Sequence, residues 1–330
     1  MPLISSEFRA NGLFKNTHFS TIYSAKIRQV KGVHQERERF VLPDGDFLDV
    51  DWSYTLLPAC KAGSRERTQK IALLFHGLEG NAQRTYMLAM AKLLNQKGYD
   101  VAGVNFRGCS GSDNLLYRSY HSGETDDMRF LIQMIVEKDV YNEMYLYGVS
   151  LGGNALLKYA GEKKDIPSQV KAIATVGVPA DLKASLEQLN YSENWVYRTS
   201  FLLDLRGKYR KKMVKYPEVM TTEDYKTIKT LKDFDDLYTA PAHGFKDALE
   251  YYEKASSFDF LPEIEIPTLI LNAKNDSFLH GDCYPYEHAS SSKSLFLETP
   301  DHGGHVGFYK RGDFYYSEQR TLDFFEEKTP

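Results

Sequence analysis

The sequence has 330 residues, of which 42% are hydrophobic and 26% are charged, a composition typical of a globular protein with a sizeable core. Its formal net charge of −4 lacks the basic surplus that binding to phosphate backbones requires, so nucleic acid is not expected as a partner. No stretch approaches the roughly 18 consecutive apolar residues of a membrane span.

The first predicted element is a hairpin. The stretch "ERERFVLPDGDFLDVDWSY" (36–54) contains two extended runs on either side of Pro43, Asp44 and Gly45, which are turn-forming residues. Antiparallel pairs of this kind often lie at the edge of a sheet whose other strands are parallel. We therefore expect an antiparallel hairpin at one edge of the sheet.

Strand and helix patterns then alternate along the chain. The run "KIALLFHG" (70–77) is apolar throughout, as a strand that is buried on both faces requires. The clearest helix covers 125–138, and we expect Ser122 and Thr125 to cap it. Further strands are predicted within 99–108, 144–149, 170–181, 266–276 and 293–305, with a closing helix over 320–328. This alternation predicts an α/β fold, with a mostly parallel central sheet and helices on both faces.

The alternation stops between 183 and 255. This segment has helical spacing, with Trp195, Leu202, Leu205 and Tyr209 near one face, and no convincing strand. No linker rich in Gly, Ser or Pro separates it from its surroundings. We therefore expect a helical cap insertion over the carboxyl edge of the sheet, with a core formed by 1–182 and 256–330.

The stretch "LYGVSLGGNALLKYA" (146–160) places Ser150 between Gly148 and Gly152, after an apolar strand and before a helix. Glycines at these two positions allow a tight strand-to-helix turn that exposes the serine oxygen, an arrangement called a nucleophile elbow. The motif alone arises easily by chance, and its position in an alternating α/β pattern is what favours a nucleophile over an ordinary turn serine.

A serine hydroxyl becomes a good nucleophile when an imidazole accepts its proton. His302 and His305 follow the last predicted strand in "TPDHGGHVGF", where a loop can reach the elbow. We prefer His305 because the two intervening glycines free the loop to present it. An H-x-x-H pair also suits a metal, but neither an H-E-x-x-H helix nor a Cys/His cluster accompanies it, so no metal site is predicted.

The acid that orients the imidazole should follow an earlier strand, in the order Ser, acid, His. Asp276 stands just past the strongly apolar run in "LILNAKNDSFL", and we assign it this role. Asp181, after "IATVGVP", is the alternative. An aspartate at such a position is otherwise a common turn or cap residue.

Two backbone N–H groups should stabilise the oxyanion of the reaction. One is expected from Leu151, which follows the nucleophile. The other is expected from Leu78 in the "HGLEGN" loop, where Gly77 and Gly80 provide freedom. His76 is expected to hold this loop and not to act as a second base.

Ordered matches over nearly the whole chain strengthen this interpretation. The matching stretches are "THFSTIY", "LPDGDFLDVDW", "FHGLEGN", "NFRGCSG", "SYHSGETDD", "YGVSLGGN", "NAKNDSF" and "HGGHVGF". The chain resembles the YheT-like branch of the α/β-hydrolase superfamily, which includes medium-chain fatty-acid ester hydrolases and ester synthases. The resemblance implies the α/β-hydrolase fold and a serine esterase with Ser150, Asp276 and His305 as its triad.

The chain departs from the family pattern at three positions. Asn275 stands where the family usually has a second acid, Ser277 stands where it has proline, and Ser20 stands where it has glutamine. The first two departures affect the loop around the expected acid, and the third affects packing of the N-terminal segment. The triad residues themselves are all present.

We therefore expect a serine hydrolase that cleaves carboxylic esters, with short- to medium-chain acyl groups, through an acyl-enzyme and without a cofactor. One alternative is an acyltransferase or ester synthase, with an alcohol as acceptor at the same site. Another is a non-catalytic ligand-binding protein of the same fold. The substrate is expected to be a small acyl ester or a lipid, and Trp195, Phe201 and Leu202 are candidates to line its acyl pocket.

Two further expectations concern the surroundings of the protein. The three cysteines, Cys60, Cys109 and Cys283, are few and scattered, which suits a reducing compartment. The N-terminus lacks the basic and apolar regions of a secretory leader, so we expect a cytoplasmic protein. The basic run Arg206, Lys208, Arg210, Lys211, Lys212 and Lys215 indicates a solvated helix face, or alternatively a surface attracted to anionic lipid.

Overall fold

A computed structural model of the chain describes residues 3–55 and 68–328. Within these ranges there are nine strands: β1 (Leu3–Ile4), β2 (Glu36–Val41), β3 (Phe47–Ser53), β4 (Lys70–Phe75), β5 (Asp100–Asn105), β6 (Glu143–Val149), β7 (Val170–Val176), β8 (Thr268–Leu271) and β9 (Leu295–Glu298). They form one sheet in the order β1-β9-β8-β7-β6-β4-β5-β3-β2. The predicted strands are thus all present.

Twelve α-helices are found in the same described ranges. They are α1 (Thr17–Ile22), α2 (Thr85–Gln96), α3 (Asp126–Glu137), α4 (Leu151–Gly161), α5 (Leu182–Asn190), α6 (Trp195–Lys215), α7 (Thr222–Thr227), α8 (Leu231–Phe234), α9 (Ala240–Ala242), α10 (Ala248–Ala255), α11 (Tyr286–Ser291) and α12 (Tyr316–Glu327). None of them is long and apolar enough to cross a lipid bilayer.

The sheet is parallel except at one edge. The β2–β3 hairpin pairs antiparallel, and β3 also runs antiparallel to β5. The strands from β5 to β1 are parallel, with β4 between β5 and β6. The predicted α/β fold, its parallel sheet and its antiparallel edge hairpin are confirmed. Strand β1 was not predicted, because two residues are too few to show a periodic pattern.

Helices cover both faces of the sheet, and the strands are apolar for this reason. Side chains alternate between the two faces of a strand. In β4, Ile71, Leu73 and Phe75 join the core beneath α3 and α4, whereas Ala72 and Leu74 join the core beneath α2 and α12. The apolar run of β4 is therefore required by two separate cores.

The predicted capping of α3 and the predicted start of the closing helix are wrong. Helix α3 begins after Thr125 as expected, but the Thr125 hydroxyl donates to Glu162 instead of capping the helix, and the Ser122 hydroxyl accepts from Tyr251. The closing helix begins a turn before 320, because the side chain of Glu318 accepts the backbone N–H of Tyr315 in a capping box.

Helices α5 to α10 lie between β7 and β8, within the segment where strand patterns are lacking. Their apolar side chains form a cluster of their own that includes Leu205, Tyr209, Phe234 and Tyr238. Phe278, from the loop after β8, also belongs to this cluster. The helical segment is thereby packed onto the loops at the carboxyl ends of the strands. Of the three cysteines, Cys109 and Cys283 are buried free thiols, and Cys60 lies outside the described residues.

Candidate active site

Ser150 occupies the turn between β6 and α4, with φ 53° and ψ −121°. A positive φ is costly for a residue with a side chain, and the surroundings must hold it in place. A Cβ at Gly148 would lie 2.7 Å from the carbonyl oxygen of Gly152, and a Cβ at Gly152 would lie 2.5 Å from that of Phe75. Only glycine fits at both positions, which explains the spacing around the serine.

A chain of hydrogen bonds joins Ser150 to Asp276 through His305. Oγ of Ser150 lies 2.9 Å from Nε2 of His305, and Nδ1 of His305 lies 2.7 Å from Oδ2 of Asp276. The second carboxylate oxygen accepts the backbone N–H of Phe278 at 2.9 Å. When Nδ1 donates to Asp276, Nε2 is left to accept the serine proton. The three side chains are thus joined by two hydrogen bonds.

The alternatives for the acid and the base lie elsewhere. The carboxylate of Asp181 caps α5 by accepting the backbone N–H of Ala184. His302 is in the same loop as His305. Of these two described residues, His305 lines the pocket around Ser150 and His302 does not. The geometry therefore favours Asp276 over Asp181 and His305 over His302.

The loop that carries His305 is held by residues that the sequence analysis did not assign to the site. The backbone N–H of His305 donates to Oγ1 of Thr21 at 3.0 Å, and that of Gly304 donates to Oδ1 of Asn275 at 3.0 Å. The hydroxyl of Ser20 donates to the carbonyl of Gly303. The sequence signals for this support were the matches of "THFSTIY" and "NAKNDSF" to the family. Asn275 and Ser20, both departures from the family pattern, thus hold the histidine loop.

The loop expected to supply the second oxyanion donor passes directly over the serine. A Cβ at Gly77 would lie 3.1 Å from Cβ of Ser150, so this position leaves little room for a side chain. Leu78 and Leu151 both line the pocket around Ser150. His76 holds the loop from below, with Nδ1 bonded to the carbonyl of Gly77 and Nε2 accepting the N–H of Phe106. Burial lowers the pKa of His76 to about 3.

Glu79 connects this loop to the helical segment. Its backbone N–H donates to the hydroxyl of Tyr120 at 2.9 Å, and its carboxylate accepts from that hydroxyl and from Nζ of Lys208. Lys208 also lies 3.1 Å from Sγ of Cys109, a thiol whose pKa burial raises to about 11. A part-buried ion pair thus links α6 to the loop next to Leu78.

The basic run of α6 is only partly the solvated face that the sequence predicted, because Arg210, Lys211 and Lys215 are exposed whereas Lys212 is buried. Lys212 donates to the carbonyl of Leu116, Lys215 to that of Leu115, and Lys211 pairs with Asp113. Periodicity could not reveal these contacts, because the partners lie about 100 residues earlier in the chain. Arg206 donates to the carbonyl of Ile228, and Lys208 donates to the carboxylate of Glu79. Arg210 is exposed, and its guanidinium lies near the ring of Tyr225.

An apolar pocket of about 130 Å³ opens beside Ser150. The helical segment contributes Leu186, Leu189, Phe201, Leu205, Leu231 and Phe234 to its wall. Of the three candidates for this wall, Phe201 is found there. Trp195 is instead 59% exposed, and Leu202 packs within the helical cluster. The volume is similar to that of an engineered cavity of about 150 Å³ that binds benzene.

Comparison with known proteins places this site in a family context. A family model described as "alpha/beta hydrolase fold" matches residues 72–311. The chain is 33% identical over 307 residues to "Putative esterase YheT" of Escherichia coli, covering 92% of this chain and 87% of that protein. It is 28% identical to "Medium-chain fatty acid ethyl ester synthase/esterase 2" of Saccharomyces cerevisiae, covering 79% of this chain and 63% of that protein.

A solved structure shows the same fold at low sequence identity. The esterase Pf2001 of Pyrococcus furiosus superposes with a TM-score of 0.59 and 13% identity, over 92% of this chain and 97% of that one. Similarity at this level concerns the arrangement of strands and helices. It does not extend to the substrate.

Proposed function

Because the chain belongs to the α/β-hydrolase family, in the YheT-like branch, we propose that it cleaves carboxylic esters through an acyl-enzyme on Ser150. The family makes the chain an esterase-type hydrolase, and the proposal concerns the residues and the substrate. The observation that carries it is the continuous hydrogen-bonded path from Ser150 to Asp276 through His305.

In the first half of the reaction, Oγ of Ser150 attacks the ester carbonyl while Nε2 of His305 takes the hydroxyl proton. Asp276 stabilises the resulting imidazolium and keeps its ring in orientation. The backbone N–H groups of Leu78 and Leu151 are the proposed oxyanion donors, each contributing about 3 kcal/mol of transition-state stabilisation. His305 then gives its proton to the leaving alcohol, and the acyl group remains on Ser150.

In the second half, water attacks the acyl-enzyme by the same steps in reverse order. His305 accepts a proton from the water, the tetrahedral intermediate forms again, and the carboxylic acid leaves as Ser150 regains its proton. The apolar pocket supports an acyl group of short to medium length, because its volume is close to that of a cavity that binds benzene. We assign 183–255 as the cap that forms this pocket.

Covalent labelling tests the proposal. A fluorophosphonate should add one adduct to the purified protein, detected by intact mass, and Ser150→Ala should take up none. His302→Ala is the matched control, and it should label as the wild type does. Folded wild type that fails to label, or labelling that survives Ser150→Ala, would contradict the assignment of the nucleophile.

Acyl transfer to an alcohol is a second candidate. The pocket wall is mainly apolar, which favours an organic acceptor over water near the acyl group, and the yeast relative carries both synthase and esterase in its name. Water and alcohol compete for one acyl-enzyme, so the ratio of acid to ethyl ester formed in mixed water and ethanol separates the two. A ratio that only follows the concentrations of water and ethanol would leave hydrolysis as the activity.

The contacts of α6 favour fastening of the cap over an attraction to anionic lipid. Five of the six basic side chains have partners on the protein: Arg206, Lys208, Lys211, Lys212 and Lys215. We therefore expect no binding to anionic vesicles that depends on this run. Sedimentation with such vesicles, lost on adding salt and in Arg210→Ala, would contradict this expectation.

A further inference from the structure

A second cluster of ligand-type side chains lies beside the pocket, formed by His121, Glu124 and His243. One ligand atom of each lies within 4.8 Å of the other two. Nε2 of His121 is 3.7 Å from Oε2 of Glu124, and the centroids of the two imidazole rings are 4.5 Å apart. The proposed ester hydrolysis uses none of these three side chains.

One ring nitrogen of the cluster residues has no hydrogen-bond partner among the described residues. Nε2 of His243 is buried, and no hydrogen bond is made to it. Buried polar atoms almost always have a partner, so an orphaned nitrogen beside a carboxylate and a second imidazole calls for an explanation. A bound cation would supply the missing interaction.

The turn that carries His121 and Glu124 presents their ligand atoms in a fixed direction. The backbone N–H of Glu124 donates to the carbonyl of His121, and that of Gly123 donates to Nδ1 of His121. Because Nδ1 accepts this N–H, Nε2 carries the ring proton in the metal-free chain. Binding of a metal at Nε2 shifts that proton to Nδ1 or releases it, and the shift breaks the bond from Gly123.

The same turn is clamped to its surroundings. The hydroxyl of Tyr251 accepts the N–H of Ser122 and donates to Oγ of Ser122. Nδ2 of Asn154 donates to the carbonyl of Ser122. A Cβ at Gly123 would lie 2.8 Å from Cα of Ala255, so the backbone there approaches α10 closely. Ligands held on such a rigid support favour specific metal binding. This gives a role to His121 and Glu124 in the "SYHSGETDD" stretch, of which the sequence analysis assigned only Ser122 and Thr125, as helix caps.

From this arrangement we propose that His121, Glu124 and His243 bind one Zn²⁺ ion. Two imidazoles and one carboxylate suit Zn²⁺, whereas Ca²⁺ and Mg²⁺ prefer oxygen ligands. Three protein ligands leave a fourth position open to water. Zn–N distances of roughly 2.0 Å imply ligand separations of about 3.3 Å, so side-chain movements on the order of 1 Å complete the site.

The location of the cluster indicates what the ion would do. His243 follows α9 in the helical segment, whereas His121 and Glu124 belong to the turn before α3 in the core. His121 also lines the pocket beside Ser150. A Zn²⁺ ion here fastens the helical segment to the core at the wall of the pocket.

Metal binding can be measured without any assay of ester hydrolysis, so its failure is distinct from failure of the proposed function. Full-length protein freed of metal by a chelator is titrated with Zn²⁺ in a calorimeter, and with Co²⁺ for its visible absorption. We expect one ion per chain and a rise in Tm of roughly 5 °C at a hundredfold excess over Kd. His243→Gln and Glu124→Gln should each weaken binding by well over 100-fold, which exceeds the roughly 10- to 100-fold effect of losing an outer-shell partner.

Two controls identify the site of binding. His302→Gln removes a histidine outside the cluster, and His305→Ala removes the imidazole beside Ser150; both should bind Zn²⁺ as the wild type does. The folding of every variant is checked by circular dichroism. The proposal is overturned if folded wild type shows neither heat nor a Tm shift with Zn²⁺. It is overturned equally if both cluster variants keep the wild-type Kd, or if His305→Ala abolishes binding.

Discussion

Oδ2 of Asp276 lies 2.7 Å from Nδ1 of His305, and both side chains are buried. The other oxygen of the carboxylate is held by the backbone N–H of Phe278. The ring of Phe278 in turn lies against the imidazole, with centroids 4.2 Å apart. The imidazole of His305 is therefore fixed both by a hydrogen bond to a carboxylate and by packing, and its orientation toward Ser150 depends on Asp276.

Replacement of Asp276 by asparagine should reduce kcat about 10⁴-fold with little change in KM, because the wrong imidazole tautomer would face Ser150. Steady-state hydrolysis of a p-nitrophenyl ester measures this. The matched control is Asp181→Asn, since asparagine can also cap α5. If Asp181→Asn shows the larger loss, the acid has been assigned to the wrong residue.

Thr21→Val removes the acceptor of the His305 backbone N–H while it preserves the shape of the side chain. We expect kcat to fall by about tenfold or more with KM nearly unchanged, because small displacements of a catalytic group are costly. Thr21→Ser keeps the hydroxyl and should restore most of the rate. Equal kcat values for the valine and serine variants would show that this hydrogen bond does not position the loop.

Lys208→Met leaves the part-buried carboxylate of Glu79 without its cation, and the loss of a hydrogen bond between charged groups typically costs about 1.5–3 kcal/mol. We expect a lower free energy of unfolding in urea and a reduced kcat, since Glu79 adjoins Leu78. Lys211→Met is the control, because Lys211 and Asp113 are both exposed and the pair contributes at most about 1 kcal/mol. Similar losses in the two variants would argue against a special role for Lys208.

Leu205→Trp should shorten the acyl pocket. Leu205 is buried on α6 and lines the pocket, whereas Leu203 on the same helix is 64% exposed. We expect kcat/KM for p-nitrophenyl hexanoate to fall about tenfold or more, and that for the acetate to change less than about threefold. Leu203→Trp should leave both values unchanged. An equal loss for the two esters would place the acyl chain elsewhere.

His76 should make the protein less stable in acid. Burial lowers the pKa of its folded form to about 3, whereas the unfolded value lies near 6.5. Between these values the unfolded state binds more protons, so the stabilising contribution is present above pH 6.5 and is lost as the pH falls toward 3. This contribution declines by about 1.4 kcal/mol per pH unit.

The measurement is urea denaturation between pH 7 and pH 4, with His76→Gln as the comparison. Glutamine can accept the N–H of Phe106 and donate to the carbonyl of Gly77, but it does not titrate. The variant should therefore lose less stability on acidification than the wild type does. Parallel pH profiles for the two proteins would show that His76 is not responsible.

The parts of this fold that could be predicted from the sequence are those specified by short-range patterns. The all-apolar run of β4 follows from burial on two faces, and the β2–β3 hairpin follows from its turn residues. Predictions from local patterns failed where a side chain bonds to a residue far away in the chain instead of to a neighbour. Thr125 has the sequence of a helix cap, yet its hydroxyl bonds to Glu162, 37 residues later. Lys212 has the sequence of a solvated residue, yet it is buried against Leu116.

The sequence by itself determined the α/β sheet, the glycine-framed turn at Ser150 and the order in which an acid and a histidine follow it. Each of these depends on neighbouring residues or on strand order, which the chain encodes locally. Only the tertiary structure decided that Thr21 and Asn275 hold the histidine loop, that Glu79 pairs with Lys208, and that His121, Glu124 and His243 meet. These are contacts between residues far apart in the chain, and no periodicity in one segment can specify its partner in another.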